Sequence, residues 1–121
     1  MIRGLADLGV PAERNPGKTG VWTAGKKIAS IGIHVKQWVT LHGFALNVTT
    51  DLSLFDLIVP CGIHGVTMTS VARERGASLP DGLRGPARAA VIRRFGEVFE
   101  RSMVERPELP VIFRAYGGTA R

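Results

Sequence analysis

The chain has 121 residues, 45% hydrophobic and 21% charged, with a formal net charge of +6. That length suits one modest domain able to bury roughly two-thirds of its unfolded surface, and the composition excludes a disordered or collagen-like chain. A single cysteine excludes an internal disulfide framework and fits a reducing cytosol.

No apolar run is long enough to span a bilayer. The start, Met1-Ile2-Arg3-Gly4-Leu5, lacks the extended apolar core of a secretory signal, and Asp7 interrupts it. A cytoplasmic location with no membrane contact is therefore expected. The positive charge calls for an acidic partner or none. Its cations are scattered, with Lys26-Lys27, Arg73 with Arg75, and Arg93-Arg94 as the local pairs. No recognition helix, finger or aromatic platform accompanies them, which speaks against nucleic acid. A small acidic protein fits a diffuse basic surface equally well.

In chain order, Ile2 to Val10 reads as the last turns of a helix closed before Pro11, and Glu13 to Thr19 as a polar loop. Gly20-Val21-Trp22-Thr23 is a short strand. Ala24-Gly25-Lys26 turns into a second strand, Lys27 to Val35, rich in β-branched residues, so the pair predicts a hairpin. Trp38 to Val48 predicts a third strand, with Gly43 as an interior small residue where a ligand or backbone approaches closely. The sequon at Asn47 is a chance match within it. Asp51-Leu52-Ser53 starts a short helical or irregular turn, Val66 to Val71 is another short strand, and Ala77 to Gly85 a loop.

Pro86 opens an amphipathic helix ended by Pro107. Ile92, Phe95, Phe99 and Met103 follow helical spacing and are expected to pack into the core, with Arg93, Arg94, Glu97, Glu100 and Arg101 largely opposite. The mixture of strands and helices predicts an α+β or mixed α/β fold.

Cys61 lies between Pro60 and Gly62 at the end of an apolar run. Pro60 fixes φ and Gly62 permits a sharp bend, so the thiol is well placed for chemistry, and the following backbone N–H could serve as an oxyanion donor. A buried structural cysteine is the plainer reading. Lys27 shares a strand face with Ala29, Ile31 and Ile33 by period-2 alternation, a costly place for an ammonium. It is either a strand-end lysine snorkelling to water or a functional group. Beside Cys61 it would stabilise the nucleophilic thiolate and relay a proton.

The histidines offer less. Cys61 and His64 have Cys-x-x-His spacing, but zinc needs three or four ligands and no second pair follows, so no metal is expected. His34 and His42 fit strand positions, and a Cys/His pair through His42 stays open.

Three blocks together carry a resemblance: Gly25-Lys26-Lys27-Ile28-Ala29-Ser30-Ile31-Gly32-Ile33, then Trp38-Val39-Thr40-Leu41-His42-Gly43-Phe44-Ala45-Leu46-Asn47-Val48, then Asp51-Leu52-Ser53 with Pro60-Cys61-Gly62. In this order and spacing the sequence resembles the lipoyl/octanoyl transferases of lipoate biosynthesis, closely over residues 20–70 and loosely elsewhere. The resemblance implies a biotin/lipoate-protein ligase-like catalytic fold. It implies a two-step transfer of octanoyl from acyl carrier protein to Cys61 as a thioester, then to a lysine of a lipoyl domain. Cys61 matches the family's acyl-thioester cysteine and Lys27 its partner lysine. Ser30-Ile31-Gly32 and Gly43-Phe44-Ala45 match two of its substrate-binding segments. No cofactor is implied, and both carriers are typically acidic.

Family members are longer and carry upstream an Arg-Gly-Gly and a His-Gly-Pro-Gly-Gln segment, neither of which occurs here. Residues 1–121 are accordingly expected to be the C-terminal part of one catalytic domain, with the N-terminal part absent or supplied as a separate half. The alternatives to an active acyltransferase are a non-catalytic fragment of that enzyme and a basic nucleic-acid-binding module.

Overall fold

The computed structural model describes residues 1–58, 65–76 and 80–105. Cys61, His64 and Pro107 lie outside the described residues, as do residues 77–79 of the expected loop.

Helix α1, Ile2–Asp7, ends sooner than expected. Gly9 takes a left-handed φ of 74°, and the N–H groups of Gly9 and Val10 return to the carbonyls of Ala6 and Leu5. This double capping closes the helix and turns Val10 inward. Strands β1 (Glu13–Asn15), β2 (Lys18–Thr23), β3 (Lys26–Ile31) and β6 (Phe44–Leu46) form one antiparallel sheet in the order β1-β2-β3-β6. The expected loop over 13–19 is thus strand, turn and strand. Pro16 and Gly17 reverse the chain, and β1 is an exposed edge that needs no alternating apolar pattern.

The hairpin of β2 and β3 is as expected, but β3 stops at Ile31 rather than Val35. The expected third strand is in fact three pieces. A separate two-stranded ribbon pairs β4 (His34–Lys36) with β5 (Val39–Leu41), and β6 follows. Gln37 and Trp38 both take positive φ, 50° and 63°, as two-residue hairpin turns require. His42 at 114° breaks the chain again before β6. No Asn-Gly or Asp-Gly marks the first turn, so the pattern read as continuous.

Asp51 caps a 3₁₀ turn over Leu52–Leu57 by accepting from the Ser53 N–H at 3.0 Å. Over 66–71 the expected strand reduces to one parallel bridge between Met68 and Lys27. Ser70 then caps α2, Val71–Arg75. The last helix, α3, starts at Arg84 after a 3₁₀ turn and ends at Phe99, where Glu100 takes φ 51°. Pro86 falls in its first turn, where a missing N–H costs nothing.

The core joins Leu5, Leu8 and Val10 to Val21, Ile28 and Ala29 of the sheet, and to Val71, Leu83, Ala87 and Ala90. Each large side chain fully buried there contributes about 1.5–3 kcal/mol. The stripe on α3 is corrected: Ile92 is half-buried, while Phe95, Phe99 and Met103 are exposed. The side of α3 that goes inward is lined by small residues, Ala87 and Ala90. They let α1 approach closely, and Asp7 ties the two helices by accepting from Arg93 and Arg94 at 2.6–2.8 Å.

Candidate active site

Lys27 stands near the start of β3 and is only 1% exposed, so it does not snorkel to water. Its register partner across the hairpin is Trp22, which puts the two side chains on one face, and the ammonium lies 5.9 Å from the indole centroid. A desolvated cation over an aromatic face gains about 2 kcal/mol, offsetting part of the burial cost. Room for the lysine stem comes from Gly20, where a Cβ would fall 2.6 Å from the Lys27 Cε.

The backbone of Lys27 is held as firmly. Its N–H donates to the Thr67 carbonyl and its carbonyl accepts from the Thr69 N–H, each at 2.9 Å. Thr67 and Thr69 are the sixth and eighth residues after Cys61 in the chain. Asn47 braces the same junction. Its N–H donates to the Ile28 carbonyl and its side-chain amide to the Thr69 carbonyl. Buried and bonded in this way, Asn47 sits just past β6 rather than inside a long strand.

Glu74 of α2 completes the clamp. It accepts from the Lys26 ammonium and the Thr69 hydroxyl, both at 2.6 Å, and these bonds, Lys26 first, hold its carboxyl below the usual range.

The two triplets singled out in the sequence pair with each other. Ser30 faces Ala45 and Ile31 faces Phe44 in the β3–β6 ladder, and the Gly32 N–H donates to the Gly43 carbonyl at 2.9 Å. Ser30, Gly32, Gly43, Phe44 and Ala45, with His42, line a cavity of 390 Å³. Ile31 borders instead a larger one of 930 Å³ whose rim includes Arg3, Arg14 and Lys18. Both volumes are in the range of small-molecule sites. Close approach occurs at Gly32 rather than Gly43: the His42 imidazole lies over Gly32, where a Cβ would collide with it, while the space above Gly43 is open.

Cys61 lies outside the described residues, as does its relation to His42 and His64. Among the described residues no group of three or more His, Cys, Asp or Glu side chains is placed to hold a metal ion, and no helix is long and apolar enough to cross a membrane. Reading the sequence missed Gly20, Trp22, Thr69 and Glu74. Gly20 carried a signal, a glycine inside a strand; Glu74 and Thr69 carried none, because their partners Lys26 and Lys27 are far away in the chain.

Residues 1–100 match the family model of the lipoyl protein ligase A/B catalytic domain. The chain is 46% identical over 111 residues to an octanoyltransferase of Desulfovibrio desulfuricans, covering 92% of this chain and 46% of the relative. It is 47% identical over 107 residues to one of Koribacter versatilis, covering 86% and 41%. Over a shorter stretch of 76 residues it is 57% identical to one of Syntrophotalea carbinolica, covering 63% and 36%. The chain thus spans less than half the length of these relatives.

Proposed function

We propose a function from one premise: this chain belongs to the lipoyl protein ligase A/B catalytic-domain family. Its activity is octanoyl transfer. The Cys61 thiolate attacks the thioester carbonyl of octanoyl-acyl carrier protein, the carrier's C–S bond breaks, and the carrier thiolate leaves and takes a proton. The ε-amine of a lipoyl-domain lysine then attacks the Cys61 thioester. The amide forms, the Cys61 thiolate departs, and the amine's proton is relayed through Lys27. The ladder of Ser30-Ile31-Gly32 with Gly43-Phe44-Ala45 forms one wall for the acyl group. Setting and partners are the cytoplasm and acidic carrier proteins.

One observation carries this reading. A buried lysine is pinned through its own backbone to the segment that follows the only cysteine, and its stem lies against Gly20, which with Ile31 lines the 930 Å³ cavity. Such a lysine is poised to favour a thiolate over a thiol.

The test incubates the chain with octanoyl-acyl carrier protein, alone and with the upstream half of one of the octanoyltransferases. A hydroxylamine-sensitive octanoyl adduct on Cys61, lost in Cys61→Ser, is the expected result. Octanoyl on another residue with Cys61 unmodified overturns the assignment. No adduct under either condition favours a fragment without catalysis.

A further inference from the structure

We propose that the β4–β5 ribbon is a docking surface for an acidic protein partner. This ribbon is a sheet of its own, and all its residues are exposed. A lone two-stranded ribbon is marginally stable in water, and this one carries an unusual load of apolar surface. Val35, Val39 and Leu41 are each more than half exposed, and Trp38 at the tip is 98% exposed. Rigid aromatic side chains presented in this manner are the usual anchors of protein interfaces.

Charge selects the occupant. Between Glu13 and Asp51 the chain has no Asp or Glu, while Arg14, Lys18 and Lys36 are exposed cations. Lys36 is opposite Val39, and His34 opposite Leu41, so the Lys36 ammonium and apolar groups share one face. A partner with carboxylates around an apolar patch complements it. A second copy, itself at +6, would bring like charges together, and a nucleic acid would leave the aliphatic residues of the face unpaired. The ribbon also flows from β3 at Ile31 and returns into β6 at Phe44, so a partner seated on it stands beside the paired triplets.

The choice of probes rests on the transfer reading; the binding measurement does not. Trp38 and the 2%-exposed Trp22 are the only tryptophans, so iodide quenches Trp38 selectively and Trp22 reports the fold. The full chain is titrated with octanoyl-acyl carrier protein and, separately, with an unmodified lipoyl domain, without measuring transfer. At least one of them should protect Trp38 from iodide, with an affinity that weakens as ionic strength rises past about 0.1 M, where the screening length is about 10 Å. Trp38→Ala and Lys36→Glu should each weaken binding, read by titration calorimetry, by about tenfold or more, with Trp22 emission unchanged in Lys36→Glu.

Carrier binding with Trp38 still fully quenchable overturns the proposal, as does binding of neither carrier at low salt. Protection by the chain's own rising concentration, by duplex DNA more tightly than by carriers, or by an added upstream half alone overturns it too. Protection by a carrier without any Cys61 adduct would leave the docking surface standing and remove the transfer chemistry.

Discussion

Gly20 and Lys27 share one space: a Cβ on Gly20 would fall 2.6 Å from the Lys27 Cε and equally close to the Ala29 carbonyl oxygen. The glycine therefore makes two allowances, a positive φ of 131° and a path for a buried lysine. Gly20→Ala should lower unfolding free energy by about 1–3 kcal/mol, the usual range for overpacking. Gly17→Ala, with nothing within 4 Å of its Cβ, is strained only by its φ of 75° and should cost less. Denaturant titration of both variants checks the order, and a smaller loss at Gly20 would contradict the packing.

Lys27→Ala separates the functional from the structural reading. If the ammonium favours the Cys61 thiolate, the pH profile of thiol alkylation should move upward, and octanoyl transfer should fall about 10²-fold or more. Lys27→Ala that merely loosens the hairpin would lower thermal stability without moving the alkylation profile.

Acid should weaken the chain through two carboxylates. Hydrogen bonds from Arg94 and Arg93 hold Asp7 well below the usual carboxylate range, and those from Lys26 and Thr69 lower Glu74. Carboxyls lowered on folding stabilise the native state above their unfolded values, near 4, and that contribution is lost as pH falls through the folded values. Thermal unfolding should thus soften below about pH 4. Asp7→Asn and Glu74→Gln together should flatten that decline. Glu74→Gln alone at neutral pH should cost about 1 kcal/mol or less, since Lys26 is partly exposed. An unchanged acid limb in the double variant would remove both pairs as its cause.

The outer face of α3 should bind a hydrophobic dye. Phe95 and Phe99 lie with ring centroids 4.4 Å apart, the latter 57% exposed, and Val98 is exposed beside them. Phe95→Gln with Phe99→Gln should reduce dye fluorescence severalfold while changing stability by about 0.5 kcal/mol or less, as for surface sites. A large stability loss would mean that the rings are packed.

What the sequence by itself determined is what local chemistry and short-range pattern determine. Val21 to Ile31 reads as a hairpin because β-branched residues flank Ala24-Gly25, and Asp51 reads as a turn start because its carboxylate reaches its own backbone. Family membership was legible in the same way, through Lys27, the two triplets and Pro60-Cys61-Gly62, whose order and spacing need no coordinates. Tertiary structure alone decided the rest. The phenylalanines of α3 have core spacing yet face outward, because Ala87 and Ala90 offer α1 a closer approach on another side. Trp38 stands at a hairpin tip because positive φ at Gln37 and Trp38 outweighs the strand preference of their neighbours. Lys27 is buried because Trp22, Gly20 and the Thr67–Thr69 backbone surround it. Burial depends on which distant residues arrive at a place, and periodicity along one segment carries no information about them.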